Sequence, residues 1–318
     1  MERLYIVEAY RDPFCPNSIT EAVRMSNLQY KLIRRGKVKD LYEKDGSLIL
    51  FHSDRISAFD NVFKQLIPYK GIYLNLLSAY WFEKTKSIFP NHFIELIDDR
   101  TMRVIKAERI DVEWIVRGYI YGSAWRAYSK GKRIISGVKL PSGLIMGEKL
   151  PDPILTPTLK VDRGHDVEID KNYAIDKGLL TREEWSEIEE ACIKLYNFYS
   201  SVADKVELII ADVKLEFGRC KDGLIQIDEP PTHDSARIWC KKYYRPGCSQ
   251  EDHCLDKEFF RSYLRYIGFK ENSEIQKIPF KVIAQVAWRV RGAYEVLSSK
   301  RSINEIPLLG LKELMEDE

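Results

Sequence analysis

The chain has 318 residues, 45% hydrophobic and 31% charged, enough to bury a sizeable core and too apolar for the disordered class. Its 50 Lys and Arg nearly balance 48 Asp and Glu, for a formal net charge of +2. That excludes a general nucleic-acid or membrane-surface binder, so any anion recognition must come from local clusters. No apolar run approaches the roughly 20 residues of a membrane helix, and Glu2 and Glu8 mark the first residues as no secretory signal, so a cytoplasmic location is the expectation.

Residues 1–26 have weak periodicity and contain Pro13 and Pro16, and they read as an N-terminal extension. Tyr30–Ile33 is β-like, Gly36 breaks it, and Val38–Glu43 resumes an extended pattern. Asp45-Gly46 marks a hairpin turn before a buried strand at Leu48–Phe51. Ile72, Leu76, Tyr80 and Leu77, Trp81 recur at helical spacing within Gly71–Ile88. Phe93–Ile97, Met102–Ile105 and Trp114–Ile120 read as strands, and Gly122-Ser123 opens a short helix with Ser123 as its N-cap. Lys130–Asp170, rich in Gly, Pro, Asp and Lys, reads as one long loop. Thr181–Ala203 is a helix behind a Thr181/Glu184 capping box. Val206–Phe217 and Leu224–Asp228 are strands joined by a turn at Lys221-Asp222-Gly223. Lys257–Ile267 and Pro279–Ser298 are the last helices, and the acidic tail frays. Strands and helices mix without a βαβ rhythm, which places the chain in the α+β class. Six cysteines form no CxxC pair, so a standard zinc site is not expected; Cys248 and Cys254 are the first pair to examine for a disulfide.

Several segments carry chemistry. In Gly36-Lys37-Val38-Lys39-Asp40, glycine admits close approach to a ligand, and the lysines flanking Val38 fall on one side of a strand. This suits a polyphosphate under a hairpin lid, and equally a solvated basic edge strand. On a strand, Asp212, Lys214 and Glu216 share one face, while Val213, Leu215 and Phe217 fill the other. The following hairpin brings Asp228 and Glu229 near Asp212 and Glu216, a hard-oxygen set suited to Mg²⁺ with phosphate. Arg117, the helix start at Ser123, and Thr232–Arg237 with Asp234, Ser235 and Arg237 make a ribose-phosphate pocket or ordinary salt bridges. Asp54–Asp60 and Leu159–Asp166 mix acids and bases, as turns also do.

GKVKDLYE, HSDRISAFD, IVRGYIYGSAW, PILTPTLKVDRGHD, IIADVKLEFG and DEPPTHDSAR stand here in the order found in phosphoribosylaminoimidazole-succinocarboxamide synthase (SAICAR synthetase). The chain resembles that family from about Tyr30 to about Arg291, and departs from it at His233, where the family often has proline. The resemblance implies an ATP-grasp-like or kinase-like α+β fold. A small β-rich lobe (27–108) and a larger α+β lobe (109–300) would hold the nucleotide cleft between them, with a tail at 301–318. It implies a ligase that uses ATP and Mg²⁺ to join L-aspartate to carboxyaminoimidazole ribonucleotide (CAIR) in purine synthesis, in a homodimer. By that resemblance Gly36, Lys37, Val38, Lys39, Lys106, Lys160, Asp212 and Lys214 bind ATP, and Ile105–Glu108 forms the adenine-side hinge. Glu216 and Asp228 hold the metal, and Arg117, Ser123, Asp234, Ser235 and Arg237 bind CAIR. Asp54, Ser57 and Asp60 fall to L-aspartate. Lys39, Lys214 and Asp166 act in the chemistry, with His165 the other candidate base. The rivals are a small-molecule kinase, whose ATP turnover ignores aspartate, and a nucleotide-binding regulator, which turns nothing over.

Overall fold

The structure is a computed structural model that describes residues 5–160, 167–270 and 277–316. These fall into two compact units. The first takes the stretches up to Tyr80, from Phe93 to Lys106 and from Glu251 on; the second takes Trp81–His92 and Ala107–Gln250.

The first unit opens with an antiparallel hairpin, β1 (Tyr5–Arg11) and β2 (Ile19–Ser26). Its two prolines, which weaken the strand signal, lie in the connection, where a missing N–H costs no ladder bond. Next come β3 (Lys31–Arg35), β4 (Lys39–Lys44) and β5 (Ser47–His52). Asp45 and Gly46 join β4 to β5 with φ of 49° and 75°, the pair of positive angles a two-residue hairpin turn requires. β6 (Arg55–Ala58) and β7 (Asn61–Leu66) form a separate hairpin, and α1 (Lys70–Thr85) leads into the second unit. The chain returns for β8 (Phe93–Asp98) and β9 (Thr101–Ile105), completing an antiparallel sheet of order β3-β4-β5-β9-β8. Tyr42, Ile49, Phe51 and Val23 form one part of its core, and Met102, Val104 and Ala79 another.

The second unit is built on β10 (Glu108–Arg109), β11 (Val112–Tyr119), α2 (Gly122–Ser129), β12 (Ile134–Ile135), β13 (Val138–Lys139), β14 (Lys149–Leu155), β15 (Thr158–Leu159) and β16 (Val167–Glu168). It continues with α3 (Lys171–Asp176), α4 (Arg182–Lys205), β17 (Leu208–Cys220), β18 (Gly223–Ile227) and β19 (Ala236–Cys240). The sheet runs β10-β17-β11-β15-β16, with β14 also paired to β11 and β18 and β19 to β17. The long loop expected over Lys130–Asp170 therefore contains five strands among its described residues. Four of the five are only two residues long, and β14 and β15 pair with β11, distant in sequence, so no local period announces them. α4 carries the expected capping box, with Thr181 and Glu184 bonded reciprocally. Ser123 is not the N-cap of α2: Tyr121 holds that position without a side-chain bond.

Back in the first unit, α5 (Glu258–Tyr266), α6 (Phe280–Leu297) and α7 (Leu311–Glu316) close the described chain. The tail is helical through Glu316, because Leu311 and Leu314 share a buried stripe and Asp252 accepts from the Leu311 amide at 3.0 Å. All six cysteines are free, Cys254 fully buried and Cys248 exposed. Among the described residues no helix is long and apolar enough to cross a membrane.

Asp54 ties the first unit together. Its carboxylate, 0% exposed, accepts from the Val23 amide at 2.7 Å and the Gly71 amide at 2.9 Å, and takes both terminal nitrogens of Arg100 at 2.8 and 3.0 Å. One carboxylate thus fixes the N-terminal hairpin, the start of α1 and the β8–β9 turn. Asp54→Ala strands the Arg100 charge and is expected to cost about 3–5 kcal/mol. Thr181→Ala removes only a helix cap and is expected to cost about 1 kcal/mol. Urea unfolding of the two variants checks this order; equal losses would contradict it.

Candidate active site

β17 is central in the second unit's sheet, so the alternation of its side chains decides what faces where. Val213, Leu215 and Phe217 are each 0% exposed on the core face. Three such side chains contribute on the order of 5–9 kcal/mol, which pins the register and forces Asp212, Lys214 and Glu216 to the opposite face. Antiparallel pairing sets Arg117 of β11 against Asp212 and Ile115 against Lys214.

At one end of that face lies a buried Arg–Asp–Arg cluster. Asp212 accepts from Arg117 at 3.0 Å and from Arg237 at 2.6 Å through the same oxygen. Arg117 also donates to Thr156 Oγ1 at 2.9 Å and Ser123 Oγ at 3.0 Å. Arg237 lies against Gly122, whose φ is 58°, and over the Tyr121 ring at 5.6 Å; a Cβ at 122 would sit 2.4 Å from its guanidinium. Burial, then the charges of Arg237 and Arg126, push Arg117 down to about 10 against the pull of Asp212, so it is still a cation at neutral pH. Two guanidiniums thus meet one carboxylate at the start of α2.

At the other end carboxylates are in excess. Lys160 donates to both Glu216 oxygens at 2.8 and 2.9 Å. Lys214 reaches Glu216 at 2.5 Å, Glu113 at 3.0 Å and Asp228 at 3.8 Å. Burial works against the Lys214 charge, but Glu216, Asp228 and Glu113 outweigh it and hold the ammonium well above its ordinary range. Among the described residues no three His, Cys, Asp or Glu side chains form a metal cage. A Mg²⁺ ion needs only one or two carboxylates when phosphate and water complete its shell. Glu216 and Asp228 fit that need, since one ammonium already spans both.

The remaining expected residues are placed as follows. Gly36–Lys39 is a tight turn closed by Gly36 N–H on the Lys39 carbonyl at 2.7 Å, so Lys37 stands in a bend before β4 and does not share a strand with Lys39. Lys37 pairs with Asp60 at 2.5 Å, both exposed, and Lys106 pairs with Glu43. Ser57 lies in the β6–β7 hairpin opposite Val62. Ser235 Oγ donates to the Pro230 carbonyl at 2.5 Å and accepts from the Thr232 amide at 2.9 Å, shaping the turn that carries Asp234 and Arg237. Glu229 accepts from Thr232 at 3.0 Å, and Asp212 faces the arginines rather than the carboxylate end. His165 and Asp166 lie outside the described residues. Glu113 and Thr156 were missed. Glu113 was legible, since it sits four residues before Arg117 on a strand and hence on the same face; Thr156 was hidden between Pro153 and Pro157 in the apparent loop.

One buried strand thus carries two arginines gathered on a carboxylate at one end and a carboxylate–lysine network at the other, the chemistry of a site for charged substrates. Residues 32–277 match the SAICAR synthetase family. The phosphoribosylaminoimidazole-succinocarboxamide synthase of Thermodesulfovibrio yellowstonii is 38% identical over 284 residues, 85% of this chain and 96% of that protein. The Saccharomyces cerevisiae SAICAR synthase complexed with SAICAR superposes with a TM-score of 0.78 at 32% identity, covering 87% of this chain and 98% of its own. A SAICAR synthetase in complex with ADP superposes with a TM-score of 0.60 at 28% identity, covering 76% and 99%. The chain belongs to the SAICAR synthetase family and is a carbon–nitrogen ligase of purine synthesis that uses ATP.

Lys214 keeps 29% side-chain exposure, so Lys214→Met is expected to cost about 2 kcal/mol, less than a fully buried pair. Because the folded state holds this proton more tightly, the contribution is complete below the unfolded lysine value of about 10.4 and is lost as pH rises above it. Urea midpoints of wild type and variant at pH 8 and pH 11 test this; a gap that widens at pH 11 would refute the sign.

Proposed function

We propose that the chain forms the amide between CAIR and L-aspartate through an acyl phosphate, and assign the parts of its site accordingly. An imidazole carboxylate oxygen attacks the γ-phosphorus of ATP, and the bond to the bridging oxygen breaks to release ADP. The amine of L-aspartate then attacks the acyl carbon, phosphate leaves, and a base takes the ammonium proton. Asp166 and His165 are the proposed bases. Phosphorylation is needed because a carboxylate oxygen is otherwise a poor leaving group at neutral pH.

Arg117 and Arg237, with Ser123, Asp234 and Ser235 around them, would take the ribose phosphate and carboxylate of CAIR. The observation that carries this is the convergence of Arg117 and Arg237 beside Ser123, whose fork-shaped donors suit such oxyanions. Glu216 and Asp228 would hold Mg²⁺, which supplies charge neutralisation at the transferred phosphoryl group. Lys160 and Lys214, at the same end of β17, would pair with phosphate oxygens and the developing oxyanion. In the first unit, the Gly36–Lys39 turn would cover the ATP phosphates with Lys37, Val38 and Lys39, and Lys106 would lie on the adenine side. Ser57 and Asp60 would receive L-aspartate, the Asp60 carboxylate suiting its ammonium. A homodimer is the proposed assembly.

The test is to combine the protein with ATP, Mg²⁺, L-aspartate and CAIR, omit each in turn, and follow product by mass spectrometry. Succinocarboxamide that needs all four supports the proposal. ADP release indifferent to aspartate, with no amide formed, sinks it and favours a kinase. Within the same assay Arg237→Lys is expected to raise the KM for CAIR about tenfold by losing the fork, with the KM for ATP unchanged.

A further inference from the structure

The HSDRISAFD segment contains a residue the substrate assignments leave unused, Arg55. Its side chain is buried and every nitrogen donates. Nε reaches the Lys37 carbonyl at 3.1 Å, Nη2 the Gly36 carbonyl at 3.1 Å and Asp40 Oδ1 at 2.7 Å, and Nη1 the Arg24 carbonyl at 2.6 Å. Beside it, Ser53 Oγ donates to the Val38 carbonyl at 2.7 Å and the Ser53 amide to the same oxygen at 3.1 Å. Three successive carbonyls, those of Gly36, Lys37 and Val38, are therefore drawn onto donors of the 53–55 segment. Asp40 completes the frame: 0% exposed, it accepts from Arg35, Arg55 and the Ser26 amide and hydroxyl.

From this we infer that Arg55 is a positioning residue for the nucleotide, acting through the Gly36–Val38 turn with Ser53 as its partner. A carbonyl oxygen facing a polyphosphate repels it, and an N–H attracts it. With these carbonyls held, the turn leaves the Lys37 and Val38 amides and the Lys37 stem to meet the nucleotide without reorganising, the Gly36 amide being taken by the Lys39 carbonyl. A lone ammonium at 55 can satisfy one carbonyl as a point charge but cannot span two of them and Asp40, so Arg55 and Lys are not interchangeable here. The inference rests on the proposed role of the Gly36–Lys39 turn over the ATP phosphates.

The experiment is steady-state kinetics of Arg55→Lys, Ser53→Ala and Lys37→Ala, varying ATP, CAIR and L-aspartate separately. Arg55→Lys is expected to raise the KM for ATP about tenfold, the effect of losing one hydrogen bond from a charged donor, and to leave the other two KM values within about twofold. Ser53→Ala should move the same constant in the same direction by less, about threefold, because the Ser53 amide still holds Val38. A purely structural role would lower the melting temperature and the active fraction without singling out ATP. An Arg55→Lys enzyme with an unchanged KM for ATP, or with all three KM values raised together, overturns the inference if Lys37→Ala still weakens ATP. If Lys37→Ala leaves the KM for ATP unmoved, the turn does not bind the phosphates and the underlying assignment falls as well. Should Arg55→Lys fail to fold, Ser53→Ala decides: a KM for ATP equal to wild type overturns the inference.

Discussion

The two-residue period of β17 is the constraint on which the second unit depends. Burying Val213, Leu215 and Phe217 leaves Asp212, Lys214 and Glu216 no choice of face. A one-residue slip would place three charges in the core and three apolar groups outside, a penalty far larger than any single ion pair could offset. The positions of the arginines, the lysines and the carboxylates follow from that register. β11 sets Arg117 against Asp212, β18 leads into Asp228, and β19 carries Arg237 opposite Asp212. Arginines gather at the Asp212 end of the strand and carboxylates with lysines at the Glu216 end, although the chain as a whole is nearly neutral.

Charges in the first unit are divided differently. Asp40, Asp54, Arg55 and Arg100 are buried and joined in ion pairs, Asp40 with Arg55 and Asp54 with Arg100. Such pairs add little net stability over an apolar core of the same volume, but removing one partner is costly. Their use is geometric: they hold the N-terminal hairpin, the Gly36–Val38 turn and the start of α1 in fixed relation. The exposed pairs nearby, Lys37 with Asp60 and Lys106 with Glu43, are held weakly and can exchange partners for a ligand at small cost.

This division explains what the sequence disclosed. Local chemistry was legible: the Asp45-Gly46 turn, the Thr181 capping box, the alternation of β17 and the helical stripe of α1 each depend on residues a few positions apart. Partnership across the chain was not. β14 and β15 are strands because β11 accepts them, and β1–β2 is ordered because Asp54 and Asp40 take the backbone of Val23 and Ser26. In HSDRISAFD, acids and bases alternate in a way that suits either ligand contact or scaffold. Asp54 and Arg55 prove to be bonded inward and Asp60 outward, a distinction set by burial and invisible to residue type.

The ligase and the kinase share a need for phosphate-binding lysines and a metal-binding carboxylate pair, so the carboxylate end of β17 cannot separate them. The Asp212 end can. Two guanidiniums converge there on a single carboxylate oxygen, and burial holds Arg117 below its ordinary range. Such a pair of fork-shaped donors gives a return only to an anion arriving with good geometry. A kinase acting on a neutral hydroxyl gives no such return. A substrate that carries both a phosphate and the carboxylate to be activated does, and its binding would raise the local electrostatic stability of the strand that also carries the phosphoryl-transfer end. The family's reaction therefore accounts for both ends of β17 with one substrate, where phosphotransfer alone accounts for one.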